Sequence, residues 1–286
     1  MLVRPGLFLA ARPATFTDLP SVVILGLPFD GTCSFKPGSR FAPAALREAS
    51  DGLETYSHLQ QLALEDLDFG DLGDLELPFG NLSRCLTLIR QAAERLFASS
   101  VLPVFVGGEH LVSLPVIQAA ACRYPALAVV HFDAHADLRD QYLGESLSHA
   151  TVMRRVAEII APENLYQFGI RSGTREEYQY GLSKTNFYPH TLDEVGRSIA
   201  TLRGRPIYLS IDLDILDPGC FPGTGTPEPG GISFLQLQQA LLSFIGQRVI
   251  GIDIVELSPP VDPQGISAIT AAKVTRELIL LSSTFC

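Results

Sequence analysis

The stretch HFDAHADLRD, residues 131–140, sets Asp133, His135 and Asp137 at two-residue spacing. Alternate residues of an extended chain face the same way, so this spacing offers two carboxylates and one imidazole to a common point. Such donors bind divalent cations, and a bound cation activates water for hydrolysis. Other segments end in residues of the same kind. His110 closes GGEH after the apolar run 102–106, Asp212 and Asp214 follow 206–211, and Glu256 follows 249–255. The candidate metal ligands are therefore His110, Asp133, His135, Asp137, Asp212 and Asp214. Four carboxylates crowded in one cleft repel one another and are driven to protonate unless something neutralises them. Two divalent ions supply the four positive charges required. Mixed oxygen and imidazole ligation suits manganese and fits zinc, nickel or iron less selectively, whereas magnesium rarely seeks imidazole, so two Mn2+ per subunit are the first expectation.

The elements that must position these residues alternate along the chain. The run 126–132 is continuously apolar and reads as a strand covered on both faces, with the acidic cluster starting where it ends. Residues 21–25, 102–106, 164–169, 185–188, 206–211 and 249–255 read as further strands, and 62–69, LALEDLDF, as an edge strand. Helices are expected from Pro43, from the Asn81 cap to about residue 98, after His110 to about 124, after His149 to about 160, and over 192–200, 233–245 and 265–281. Strict alternation predicts a three-layer α/β fold with a mostly parallel central sheet flanked by helices. The cleft of such a fold lies at the carboxyl ends of its strands. The candidate ligands span residues 110–214, so one domain covering residues 1–286 is expected, with 1–20 as an irregular arm. The glycine- and proline-rich stretch 217–231 reads as a long functional loop.

Hydrophobic residues make up 47% and charged residues 18% of the 286, a composition that excludes disorder. The formal charge of -10 disfavours nucleic acid and favours a small cationic partner. Cys33, Cys85, Cys122, Cys220 and Cys286 form no CxxC pair and read as reduced thiols. The apolar N-terminal run is broken by Pro5 and Pro13 and falls short of the ~20 residues that span a bilayer, so no membrane association and a cytoplasmic location are expected. The loop GTCSFKPGSR lacks the spacing of a phosphate cradle, which excludes a nucleotide site there.

The blocks GGEH (107–110), DAHAD (133–137), SIDLD (210–214) and VELSPP (255–260), with PGSRFAP (37–43) and TGTPEPGG (224–231), resemble the ureohydrolases, the family of arginase, agmatinase, guanidinobutyrase and formimidoylglutamase. The resemblance covers nearly the whole chain. It implies an arginase-like fold, a homotrimer or homohexamer, and a binuclear manganese enzyme that hydrolyses a guanidino group to urea and an amine. It assigns metal binding to His110, Asp133, His135, Asp137, Asp212 and Asp214, with some aspartates bridging. Asp137 is the expected proton relay. His149 matches the family's proton-shuttle histidine, and Glu256 its guanidinium-binding carboxylate, which suits the two parallel hydrogen bonds a planar guanidinium offers.

Other residues take plainer readings. His131 lies deeper in its strand and is expected to be a hydrogen-bonded core histidine. Asp253 is out of phase with Glu256 and reads as structural, and His58 and His190 as surface residues. Arg139 stands where arginases carry an asparagine that reads the amino-acid end, which disfavours arginine. LRDQYLG and SHATVMRR lean toward prokaryotic agmatinases, and Glu176 or Glu177 is available for the amine of agmatine. Arg139 instead favours a substrate carboxylate, as in guanidinobutyrate, unless it pairs with Asp140 or Glu145. Aminopropylagmatine fits the same signatures. A deacetylase-type amidohydrolase, with one zinc, and a non-catalytic homologue are the alternatives from other classes.

Overall fold

Continuous apolar runs become strands buried on both sides, and the computed structural model, which describes residues 1–3 and 6–285, contains twelve strands among those residues. Pro5 and Cys286, on which the expectations for the N-terminus and the cysteines partly rest, lie outside the described residues, as does Arg4. The strands are β1 (Leu2–Val3), β2 (Arg12–Pro13), β3 (Val22–Leu27), β4 (Tyr56–Ser57), β5 (Leu62–Ala63), β6 (Phe69–Leu75), β7 (Leu102–Gly107), β8 (Ala128–Phe132), β9 (Leu165–Phe168), β10 (Asn186–Tyr188), β11 (Ile207–Asp212) and β12 (Val249–Val255). One sheet runs β1-β6-β3-β7-β12-β11-β8-β9-β10, with β2 also on β6. Every pairing in it is parallel except that of β1.

Among the described residues eight α-helices cover the sheet: α1 (Ala42–Ser50), α2 (Leu82–Phe97), α3 (Ser113–Arg123), α4 (Val152–Ile160), α5 (Arg175–Lys184), α6 (Val195–Ala200), α7 (Phe234–Leu241) and α8 (Ile266–Leu281). Alternate strand residues feed two separate cores. Val22 and Ile24 belong to one core with Leu46 of α1, Ile199 of α6, Leu237 of α7 and Leu278 of α8. Val23 and Leu25 turn the other way, onto Ile89 of α2, Ile117 of α3 and Val156 of α4. This is the three-layer α/β fold expected from the alternation. Local chemistry sets the ends of its helices: Asn81 Oδ1 accepts from the Arg84 N–H at 3.0 Å, and Pro43 sits in the first turn of α1.

Two expectations are corrected. The stretch 62–69 is not an edge strand: β5 pairs with β4 as a separate hairpin, a 3-10 turn follows at Leu64–Asp66, and β6 begins at Phe69 and runs beside β3 inside the main sheet. The glycines and aspartates of FGDLGDL disguise this strand. Buried Asp71 is tolerated there because Arg47 of α1 reaches it with Nε at 2.7 Å and also pairs with Asp74. Nor is the arm 1–20 irregular throughout. Leu2 and Val3 pair antiparallel with β6, and Arg12 and Pro13 pair parallel with it.

Candidate active site

Four neighbouring strands, β7, β12, β11 and β8, deliver the candidate residues at their carboxyl ends. His110 opens the turn after β7, Asp133 follows β8, Asp212 is the last residue of β11, and Glu256 follows β12. The two-residue spacing of DAHAD is only part of the geometry. His135 forms an isolated bridge with Ser172, and Asp137 is brought in by a left-handed backbone at φ 54°. Glu256 is also left-handed, at φ 66°. Each such residue costs roughly 1–2 kcal/mol, so surrounding bonds must hold it. The Glu256 N–H donates to the Gly108 carbonyl at 2.9 Å, and the Asp137 carbonyl accepts from the Arg154 N–H at 3.0 Å.

The six candidate ligands converge in two groups that share Asp133. His110 Nδ1 lies 3.2 Å from Asp133 Oδ2, 3.3 Å from Asp137 Oδ2 and 3.1 Å from Asp212 Oδ2. His135 Nδ1 lies 2.9 Å from Asp214 Oδ2 and 3.6 Å from Asp133 Oδ1. One oxygen of Asp133 therefore serves each group. Further bonds fix the carboxylates: Asp214 Oδ1 accepts from the Ala134 N–H, Asp212 Oδ1 from the Asp214 N–H, and Asp133 Oδ1 from the His135 N–H.

His131 lies near enough to the first group to be a candidate donor with His110 and Asp133. Its hydrogen bonds assign it a different task. The Gln167 side-chain amide donates to the Ala136 carbonyl and, at 3.1 Å, to His131 Nδ1, so the ring proton sits on Nε2 and is given to Asp133 Oδ2 at 2.8 Å. His131 is the fully buried, hydrogen-bonded core histidine expected from its place in the strand.

The charge balance of the cleft calls for cations. Burial and the charge of Asp133 push the Asp137 carboxyl up to about 7. Burial with Asp214 and Asp133 lifts Asp212 well above the carboxylate range, and burial with Glu109 does the same to Glu256. Burial works against the charge of Asp133 too, but His131 and its other imidazole neighbours hold that group well below its usual value. Burial pulls His110 down, yet its three carboxylates outweigh it and raise the ring well above its ordinary value. Even so, among the described residues His110 Nδ1 and Asp214 Oδ2, both buried, have no hydrogen-bond partner in line with them. A proton on Nδ1 has no aligned acceptor, whereas a cation within each group would face all the donor atoms of that group. An octahedral ion with bonds of about 2.1 Å spaces adjacent ligands about 3.0 Å apart, close to the separations here. The residues therefore fit two metal positions.

Behind His110 stands a relay that the sequence reading missed. Asp253 accepts from Tyr208 Oη and Ser210 Oγ, both at 2.8 Å, so Ser210 is left to accept from His110 Nε2 at 3.0 Å. That bond turns Nδ1 toward the carboxylates. Asp253 is structural, as expected. A charged residue inside the otherwise apolar VIGIDIV strand was the available signal of its link to the site.

The residues assigned to catalysis and substrate, Asp137, Arg139, His149 and Glu256, line a cleft of about 300 Å³ together with the candidate ligands His135, Asp212 and Asp214. His149 opens a 3-10 turn, with Nε2 3.1 Å from Ser34 Oγ and its ring edge-on to Tyr142, and burial pulls it below its ordinary value. Arg139 points Nε toward Glu177 at 3.4 Å and lies over the Tyr142 ring. Asp140 pairs instead with Arg155 at 2.6 Å. Glu177 also lines the cleft, but its oxygens accept from the Leu138 and Thr174 N–H groups, so it clamps the loop after Asp137. Glu176, His58 and His190 are exposed. Arg171, also missed, binds the carbonyls of Asp214, Ile215 and Glu228 and ties the loop 217–231 to the site.

Residues 20–281 match the arginase family profile. The chain is 47% identical over 265 residues to the agmatinase of Halalkalibacterium halodurans, covering 90% of this chain and 91% of that one. It is 43% identical to the agmatinase of Bacillus subtilis, covering 96% and 95%. Among solved structures, a putative agmatinase from Clostridium difficile superposes with a TM-score of 0.90 at 42% identity, covering 92% of this chain and 97% of that one. With both donor groups gathered at the carboxyl ends of neighbouring strands, and with a family match across almost its whole length, the chain belongs to the arginase family.

Proposed function

We propose that this chain, as one domain over residues 1–286, hydrolyses agmatine to putrescine and urea with two manganese ions per subunit. The observation that carries the proposal is Asp133, which turns one oxygen to His110 and the other to His135 and so joins two donor groups. When bound, the ion pair supplies Lewis-acid charge and an activated water. His110, Asp133, Asp137 and Asp212 would hold one ion, and Asp133, His135 and Asp214 the other. Glu256 receives the planar guanidinium with the oxygen that its bond to the His110 N–H leaves available. Asp137 passes on the proton released as water adds to the guanidinium carbon. His149 delivers a proton from Nε2 to the departing amine, which leaves only when protonated. The buried acids and the overall charge of -10 favour a dicationic substrate. The agmatinase relatives support the same substrate.

A second reading rests on Arg139, which puts a guanidinium on the cleft wall and suits a substrate carboxylate, as in guanidinobutyrate. Urea release from agmatine, aminopropylagmatine, guanidinobutyrate, arginine and formimidoylglutamate, with formamide followed for the last, decides between them. The highest kcat/KM is expected for agmatine. A clear preference for guanidinobutyrate would replace it with the second reading. One bound metal per subunit would favour the deacetylase-type alternative, and no turnover of any compound a non-catalytic homologue.

The same reading carries a homotrimer or homohexamer, tested by sedimentation, and a cytoplasmic location. Cys33, Cys85, Cys122 and Cys220 are free thiols, and no helix among the described residues is long and apolar enough to cross a membrane.

A further inference from the structure

We infer that Ser34 is a positioning residue that docks the His149 ring in the cleft by a hydrogen bond at Nε2, exchanged for the departing amine as the proton is delivered, an inference that rests on the role proposed above for His149. Ser34 and His149 face the same cleft, and Ser34 Oγ lies 3.1 Å from His149 Nε2. The other ring nitrogen, Nδ1, is buried without a hydrogen-bond partner among the described residues. The ring is thus fixed by one hydrogen bond and by its edge-on contact with Tyr142. Apolar contact tolerates rotation about the Cβ–Cγ bond, whereas a hydrogen bond to one nitrogen does not.

The segment carrying Ser34 is itself pinned. The Thr32 N–H donates to both oxygens of Glu109, at 3.1 and 2.9 Å, and Thr32 Oγ1 donates to Glu109 at 2.6 Å. Thr32 Oγ1 is then left to accept from the His149 N–H at 3.1 Å. Beyond Ser34, Asp30 accepts from the Gly38 N–H at 2.9 Å and pairs with Arg40, which closes the loop. Ser34 and the backbone of His149 therefore share one anchor, Glu109, and the Ser34 hydroxyl sets the ring from a fixed base.

Ser34→Ala in the manganese-loaded enzyme is expected to lower kcat about tenfold with KM changed less than about twofold, and to leave metal content unchanged. Ser34→Thr, which keeps the hydroxyl, should recover most of the loss. In a His149→Ala background, Ser34→Ala should cost nothing further, because it acts through that ring. Unchanged kcat, an equal loss in the His149→Ala background, or loss of metal would each overturn the inference. A crystal structure of Ser34→Ala gives a readout independent of turnover: the His149 ring is expected to rotate or spread over several positions, and an unmoved ring overturns the inference. Absence of turnover by the unaltered enzyme on every guanidine would instead remove the functional reading.

Discussion

The backbone N–H of His110 donates to Glu256 Oε1 across 2.7 Å, so the carboxylate facing the cleft is held by the residue whose ring faces the three aspartates. Strands β7 and β12 thereby set the distance between the candidate metal position and the proposed substrate position. Glu256→Gln keeps an oxygen for the His110 N–H but removes the charge that pairs with guanidinium. KM for agmatine is expected to rise about 10–100-fold with metal content unchanged, measured by steady-state kinetics and elemental analysis.

Asp133 joins the two donor groups, and removing its charge should disable both. Asp133→Asn is expected to carry less than one metal per subunit and to lose at least about 100-fold in activity. Retention of both metals would end the bridging role given to this residue.

His149 stands apart from the ligands, so its loss should separate chemistry from metal binding. His149→Ala is expected to keep two metals and to slow kcat about 10²–10⁴-fold. Metal loss in this variant would refute the assignment of a proton-delivering role.

Burial and Asp133 raise the Asp137 carboxyl to about 7, above its ordinary 3.8. A carboxyl raised in the folded state contributes stability below its unfolded value and loses that contribution as pH rises through about 7. Metal-free protein should therefore lose Tm between about pH 5.5 and about pH 8, over and above any other titration. Manganese requires the same carboxylate deprotonated, so the gain in Tm on adding it should grow over that window. Calorimetry with and without metal at both pH values checks this, and an equal gain at both would contradict it.

Far from the cleft, Arg47 neutralises Asp71, which is fully buried and also accepts the Phe8 N–H at 3.0 Å. Arg47→Met leaves that carboxylate buried without its partner. A loss of about 3–5 kcal/mol of stability is expected from urea unfolding, because an uncompensated buried charge costs that much.

The sequence by itself determined the layered α/β architecture, because apolar runs too uniform for a half-exposed strand must be covered on both faces, and alternation with amphipathic helices supplies the cover. It also pointed His110, Asp133, His135, Asp137, Asp212, Asp214 and Glu256 toward one cleft, since a polar residue at the end of such a run leaves the sheet at its mouth. Only the tertiary structure decided how those residues divide. Asp133 faces two ways, His131 is a donor and not a ligand, and Glu177 is occupied by backbone N–H groups. Strand β6 and the Ser34 contact were hidden for the same reason. Asp71 needs an arginine 24 residues away and His149 a serine 115 residues away. Spacing along a chain reports which face a residue takes within its own element, whereas the partner that satisfies a buried charge or a ring nitrogen is set by how distant elements pack.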